Sequence, residues 1–287
     1  MNGDAIMRIG IVGLGLIGGS LGLDLRSRGH SIYGISRNPH TCERAVERGA
    51  VDQASPDLEF FAQTKPDLIF ICTPLGAVAA TVAQLIPHLN PTTILTDVGS
   101  VKTAMVEAIA PLWPNFVGGH PMAGTAETGI EAAQSDLFVG RPYVLTPTPT
   151  TPPTAIQVIT ELVQSLGCQI YQCSPQAHDR AVAWISHLPV MVSASLIAAC
   201  GQEEEPEILR LAQQLASSGF RDTSRVGGGN PELGRMMAEY NREALLKSLL
   251  TYRQVLDRLI AQIEQQQWTD LEKQLEYTQQ LRPPFLK

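Results

Sequence analysis

The chain has 287 residues, a formal net charge of −7, and 44% hydrophobic and 17% charged residues. That length suits two domains, or one large one, with a substantial buried core. The acidic balance and the lack of any basic stretch exclude a general nucleic-acid binder, although a small anionic ligand needs only one local cationic pocket.

The five cysteines, Cys42, Cys72, Cys168, Cys173 and Cys200, are odd in number, and no two have the two-residue gap of a zinc or redox motif. They predict reduced thiols and a cytoplasmic protein. No apolar run approaches the roughly 18 residues of a membrane span, so no membrane partner is expected. No charged-then-apolar leader opens the chain. Met7 sits directly before the first strand pattern, which marks residues 1–6 as an extension ahead of the fold.

The first half alternates short apolar runs with helical patterns. Residues 7–12 read as a buried strand, 16–28 as a helix, 31–35 as a second strand and 39–48 as a helix. A further buried strand spans 67–72, then helix 77–85, strand 93–97 and helix 102–110. This alternation predicts right-handed crossovers and a mainly parallel sheet. The proline-rich stretch 146–153 resembles a linker, but a helix (154–166) and a strand-like segment (168–173) follow it. It is therefore a loop inside the first domain, its prolines leading into the helix.

The boundary falls near Ser174-Pro175, giving a domain of residues 1–173 and another of 174–287. After it the strand signals stop. Residues 176–199 form a long apolar helix with a candidate bend at Pro189, and 206–218 another. From Pro231 onward, Leu233, Met237, Tyr240, Ala244, Leu249, Tyr252, Leu256, Leu259 and Ile263 recur at helical spacing. A continuous helix there reaches about 50 Å at 1.5 Å per residue. A stripe that long predicts a homodimer interface, the competing reading being a stripe packed within its own subunit.

Gly13-Leu14-Gly15-Leu16-Ile17-Gly18 is a GxGxxG between a strand and a helix. The first glycine permits the tight turn, the second lets backbone approach a pyrophosphate, and the third lets helix and strand pack closely. Leu16 and Ile17 open the helix whose N–H groups face the phosphates. An NAD-preferring domain usually places Asp or Glu about 20 residues on, to hold the ribose 2′-hydroxyl. Here that place reads Gly34-Ile35-Ser36-Arg37-Asn38, and the first acid afterwards is Glu43. Arg37 can pair with a 2′-phosphate and Ser36 can donate a hydrogen bond to it, which predicts NADP. In the competing reading Arg37 stacks on adenine in an NAD enzyme.

Three motifs lie where strands of such a sheet end: Cys72-Thr73-Pro74, Asp97-Val98-Gly99-Ser100-Val101-Lys102 and Gly118-Gly119-His120-Pro121-Met122-Ala123-Gly124. Further on come His178-Asp179, Ser186-His187-Leu188-Pro189 and Gly219-Phe220-Arg221-Asp222-Thr223-Ser224-Arg225. In this order, from about Met7 to the final helices, the motifs resemble the prephenate/arogenate dehydrogenase family. The resemblance implies an α/β fold, with a Rossmann-like, mainly parallel sheet and an all-helical C-terminal dimerisation domain.

It also implies an oxidative decarboxylation of a cyclohexadienol. The C4 hydride passes to the nicotinamide, the hydroxyl loses its proton, and CO2 leaves as the ring becomes aromatic. The protein then supplies mainly orientation and a proton acceptor. By resemblance His120 is that acceptor, and Ser100 lies between it and the nicotinamide, where it can orient the imidazole. By its position alone, Ser100 can instead cap the following helix. Cys72, Thr73 and Pro74 line the cofactor, and Arg225 receives the ring carboxylate, with Arg221 as competitor. His187 lies near the substrate, or is a buried histidine bonded within the helical core. Thr125 lines the pocket. Lys102 reads as a solvent-facing first-turn residue, and His178 and Asp179 as holding the start of the helical domain.

Two departures concern the substrate. Many prephenate-using members continue SHLP with histidine, where this chain has Val190, and carry Glu-Lys where it has Ala126-Glu127. The expectation is arogenate, whose side chain ends in an amino acid, with prephenate as the alternative. A β-hydroxyacid dehydrogenase of similar build usually carries a catalytic lysine on the first long helix of its second domain, and residues 178–199 contain none. A non-catalytic NADP-binding redox regulator is the reading from another class.

Overall fold

The computed structural model describes residues 6–125 and 127–286. Its first part runs β1 (Arg8–Val12), α1 (Leu16–Ser27), β2 (Ser31–Ile35), α2 (Pro39–Glu47), β3 (Gln53–Ser55), α3 (Phe60–Thr64), β4 (Leu68–Ile71), α4 (Leu75–Leu85), β5 (Ile94–Asp97), α5 (Thr103–Ile109), β6 (Phe116–Pro121), β7 (Pro142–Thr146), α6 (Pro153–Ser165) and β8 (Gln169–Gln172). The strands form one sheet in the order β3-β2-β1-β4-β5-β6-β7-β8. Every pair is parallel except β6–β7. The order reverses direction between β1 and β4, the crevice where open α/β sheets bind ligands beyond the strand carboxyl ends.

The central strands are buried on both faces, which is why β4 reads as an unbroken apolar run. On one face Ile9, Leu21, Leu25, Phe70, Val117 and Ile159 pack with α1 and α6. On the other, Ile69, Val78, Val82, Leu95, Val106 and Ile109 pack with α4 and α5, joined by Met236 from the helical part.

The helical part is α7 (Pro175–Val182), a π-helical turn (Ala183–His187), α8 (Leu188–Cys200), α9 (Pro206–Leu215), α10 (Ser218–Ser224), α11 (Pro231–Tyr240), α12 (Arg242–Glu264) and α13 (Trp268–Leu281). Helices α2, α6, α7, α9 and α11 each begin at a proline, where the missing N–H costs nothing and φ is already set.

Several expectations are corrected. The long apolar helix is interrupted just before Pro189 by a π-helical turn, which changes its register. By length and composition Pro175–Cys200 would pass as a membrane span, against the expectation of no such run. It nevertheless carries buried His178, Asp179 and His187, all hydrogen-bonded. The segment 206–218 splits into α9 and α10, and the stripe after Pro231 breaks at Asn241 instead of forming one 50 Å helix. Strands β3 and β7 and helix α3 were not anticipated, and β6 was expected only as a strand ending at the Gly118–Gly124 motif. Of the extension 1–6, residues 1–5 lie outside those described.

Helices α9, α10 and α13 bury no residue. Ile208, Leu211 and Leu215 of α9 and Leu250, Leu256, Ile260 and Ile263 of α12 are exposed apolar side chains.

Candidate active site

The glycine turn lies at the switch point. Gly13 N–H donates to the Ile35 carbonyl at 2.8 Å, which places the end of β2 beside the turn. Gly13 has φ +99°, and a Cβ there would sit 2.6 Å from the Cys72 carbonyl oxygen. A Cβ on Gly18 would meet the Gly13 carbonyl oxygen at 2.0 Å, whereas one on Gly15 would meet nothing within 4 Å. Two glycines thus permit close packing and the third faces open space, as a pyrophosphate requires. No side chain caps the helix that begins at Leu16, so its first N–H groups and those beside Ile17 are free for an anion.

The other predicted cofactor residues sit on the same edge. Cys72 N–H donates to the Val12 carbonyl at 2.7 Å, and Pro74 precedes α4. The hydroxyls of Thr73 and Ser100 are buried without a hydrogen-bond partner. At the end of β2, Ser36 is half-buried and Arg37 exposed, and Arg37 has no ion-pair partner among the described residues. Asn38 caps α2 by accepting from His40 N–H at 3.0 Å. These residues fit a dinucleotide: a glycine cradle, an uncapped helix end and two orphan hydroxyls.

His120 lies on β6 and is 8% exposed. Its Nδ1 is 2.8 Å from Nε2 of His178, whose own Nδ1 is 2.8 Å from Oδ1 of Asp179. The protons are assigned by the one group that cannot donate. Asp179 holds a carboxylate lowered below the usual range, despite burial that raises it, by hydrogen bonds from His178 and from Thr103 and Lys102. It therefore accepts from His178 Nδ1–H, which leaves His178 Nε2 as acceptor, so His120 donates through Nδ1–H. The lone pair of His120 Nε2 remains free to take a proton. Burial, then His178, Lys102 and His187, hold the His120 pKa well below the ordinary 6.5, so the imidazole is neutral at neutral pH.

Asp179 also joins the two parts of the chain. Its Oδ1 accepts Lys102 N–H at 2.7 Å and its Oδ2 accepts Thr103 N–H at 2.8 Å, capping α5 from another element. Ser100 is not the cap, and it makes no hydrogen bond to His120; His178 orients the imidazole instead. Lys102, expected in solvent, is fully buried and paired with Asp97. A helix-first-turn rule places its side chain outward, but here the amine is held inward by Asp97 and the Gly119 carbonyl.

His187 ends the π-helical turn and is fully buried. Asn241 Nδ2 donates to the Asp179 carbonyl at 2.8 Å and to His187 Nδ1 at 3.1 Å. His187 therefore carries its proton on Nε2, an N–H with no partner among the described residues. Burial lowers its pKa to about 4, against the neighbouring Asp179. Sequence reasoning missed Asn241; its only signal was an amide interrupting the apolar stripe.

The remaining predicted residues are on the surface. Thr125 is exposed and its Oγ1 accepts from Glu127 N–H at 3.2 Å; Ala126 lies outside the described residues. Arg221 pairs with Asp222 at 3.3 Å, both largely exposed. Arg225 follows α10 and is exposed; two residues on, Gly227 N–H donates to Ser193 Oγ of α8 at 2.8 Å. No hydrogen bond or ion pair brings Thr125, Arg221 or Arg225 to His120 among the described residues.

A dinucleotide cradle beside a buried, neutral histidine with a free lone pair defines a nicotinamide-dependent oxidoreductase. Residues 21–172 match the family model described as prephenate dehydrogenase, nucleotide-binding domain. Residues 174–277 match that described as prephenate dehydrogenase, dimerization domain. The chain belongs to the prephenate dehydrogenase family.

Cyclohexadienyl dehydrogenase of Zymomonas mobilis is 32% identical over 262 residues, covering 89% of this chain and 86% of that protein. The crystal structure of Synechocystis arogenate dehydrogenase is 57% identical, with TM-score 0.87, covering 97% of this chain and all of that one. A. aeolicus prephenate dehydrogenase, in complex with hydroxyphenyl propionate and NAD+, is 27% identical with TM-score 0.93, covering 98% and 99%.

Asp179→Asn removes the acceptor that sets both tautomers, and kcat is expected to fall about 10²–10⁴-fold; a wild-type kcat would contradict the proton assignment. The neutral histidines also set a stability window. Their folded-state pKa values are depressed, so their contribution is complete above 6.5 and is lost as pH falls toward 4. Thermal melting should therefore hold steady above about pH 6.5 and decline below it, and a melting temperature unchanged down to about pH 4.5 would contradict buried neutral histidines.

Proposed function

We propose that the protein is an NADP-dependent arogenate dehydrogenase, converting arogenate to tyrosine with loss of CO2. The observation that carries this reading is the chain Asp179–His178–His120, which leaves His120 Nε2 as a free proton acceptor on the carboxyl edge of the sheet. A bound nicotinamide supplies the two-electron acceptor for the C4 hydrogen. His120 Nε2 takes the proton of the C4 hydroxyl as the hydride leaves, His178 and Asp179 stabilise the imidazolium as it forms, and the proton returns to the C4 oxygen when loss of CO2 makes the ring a phenol. Arg225, without an ion-pair partner among the described residues, binds the ring carboxylate, with Arg221 as the nearby alternative. His187 offers Nε2–H to the substrate, and Thr125 lines the mouth of the pocket. Ser100 and Thr73 offer their unpartnered hydroxyls to cofactor or substrate.

NADP is supported by Arg37 at the end of β2, with no carboxylate before Glu43 to repel a 2′-phosphate. Arogenate is supported by the likeness to the Synechocystis enzyme and by Val190, where many prephenate users carry histidine. The same reading makes the protein a homodimer through its helical part. The dimerization-domain match and the exposed apolar side chains of α9 and α12 favour that assembly.

The test mixes purified protein with arogenate or prephenate, each with NADP+ or NAD+, and follows nicotinamide absorbance. Reduction is expected with arogenate and NADP+, and Arg37→Ala should raise KM for NADP far more than KM for NAD. Turnover with prephenate alone would overturn the substrate assignment. Equal effects of Arg37→Ala on both cofactors would overturn the NADP assignment.

A further inference from the structure

The β5–β6 ladder pairs Leu95 with Phe116 and Thr96 with Val117, and then stops. Beyond it, side chains take over the tie between the two strand ends. Gly119 N–H donates to Asp97 Oδ1 at 3.2 Å, and Lys102 Nζ donates to the Gly119 carbonyl at 2.6 Å as well as to Asp97 Oδ2. Lys102 and Asp97 are both fully buried. The lysine stem runs alongside Gly118, where an added Cβ would stand 3.6 Å from Lys102 Cδ. Gly119 directly precedes His120, so the amine holds the backbone from which the imidazole projects. At its other end, Lys102 N–H is held by Asp179 at 2.7 Å.

Asp179, His178, His120, Gly119 and Lys102 therefore form a closed ring of covalent and hydrogen bonds. We propose that Lys102 is a positioning residue for the reaction: it closes this ring and so fixes His120 against His178. It rests on His120 being the proton acceptor. A buried pair that served stability alone could be replaced by a neutral pair without loss, but a neutral pair leaves the Gly119 carbonyl without its donor. The groups facing His120 are His178 and Asp179 from α7, His187 from the π-helical turn, and Lys102 and Asp97 from β5 and the loop after it. Among these, the lysine charge adds to burial in disfavouring the imidazolium.

The test compares Lys102→Met with the double variant Asp97→Asn/Lys102→Met, which has no unpaired buried charge and so keeps the fold if the single variant does not. In both, kcat is expected to fall about 10²-fold with KM for substrate and cofactor within about threefold, since a small misplacement of the acceptor costs rate rather than binding. In Lys102→Met the imidazole ¹⁵N titration of His120 should move to higher pH, because the lysine charge no longer disfavours the imidazolium. A wild-type kcat in the double variant, or an unmoved His120 titration in a folded Lys102→Met, overturns the proposal. His120→Asn assayed alongside separates the two ideas: wild-type turnover there removes the acceptor role, while the titration still judges Lys102.

Discussion

The carboxylate of Asp179 is the contact on which the rest of the site depends. It is the first charged group of the helical part, and it is 4% exposed. One oxygen reaches His178 and Lys102 N–H, the other Thr103 N–H. A buried carboxylate is stable only when its lone pairs are filled, and here two backbone N–H groups and an imidazole fill them. The same contacts cap α5, join α7 to the sheet and set the tautomers of two histidines. Position and protonation state of the acceptor thus follow from one group.

That arrangement places base chemistry on the same edge of the sheet as a cofactor cradle. Parallel strands put the glycine turn, the Cys72–Pro74 segment, the Ser100 loop and His120 on one edge of the sheet. The antiparallel strand β7 then covers β6, pairing His120 with Val144. Burial keeps the imidazole neutral, and the chain through His178 to the Asp179 carboxylate stabilises the imidazolium once a proton has arrived. A substrate that becomes aromatic asks for little more than this and a cation for its carboxylate.

Much of this was legible in the sequence where the cause is local. The glycine turn could be read because φ at Gly13 and the close approach at Gly18 are demands on single residues. The helix starts could be read because proline at N1 acts within one turn. What was misread depends on distant partners. Lys102 carries no mark distinguishing a solvent lysine from one buried against Asp97, and its further partners, the Gly119 carbonyl and the Asp179 carboxylate, lie 17 and 77 residues later. Strand β6 contains two glycines and a proline, so no propensity announces it; its pairing with β5 and β7 makes it a strand. The stripe after Pro231 is periodic through Asn241, whose amide is drawn away to the Asp179 carbonyl and His187. His178 and Asp179 were assigned to holding the helical part, which they do, but their hold on His120 emerges only from the fold.

The most direct test of the central claim is the ¹⁵N spectrum of the imidazole of His120 in the folded enzyme at neutral pH. The Asp179–His178–His120 chain predicts a neutral ring protonated on Nδ1, with an unprotonated Nε2. A ring protonated on Nε2, or an imidazolium, would contradict it, because neither leaves a lone pair on Nε2 to receive the substrate's proton.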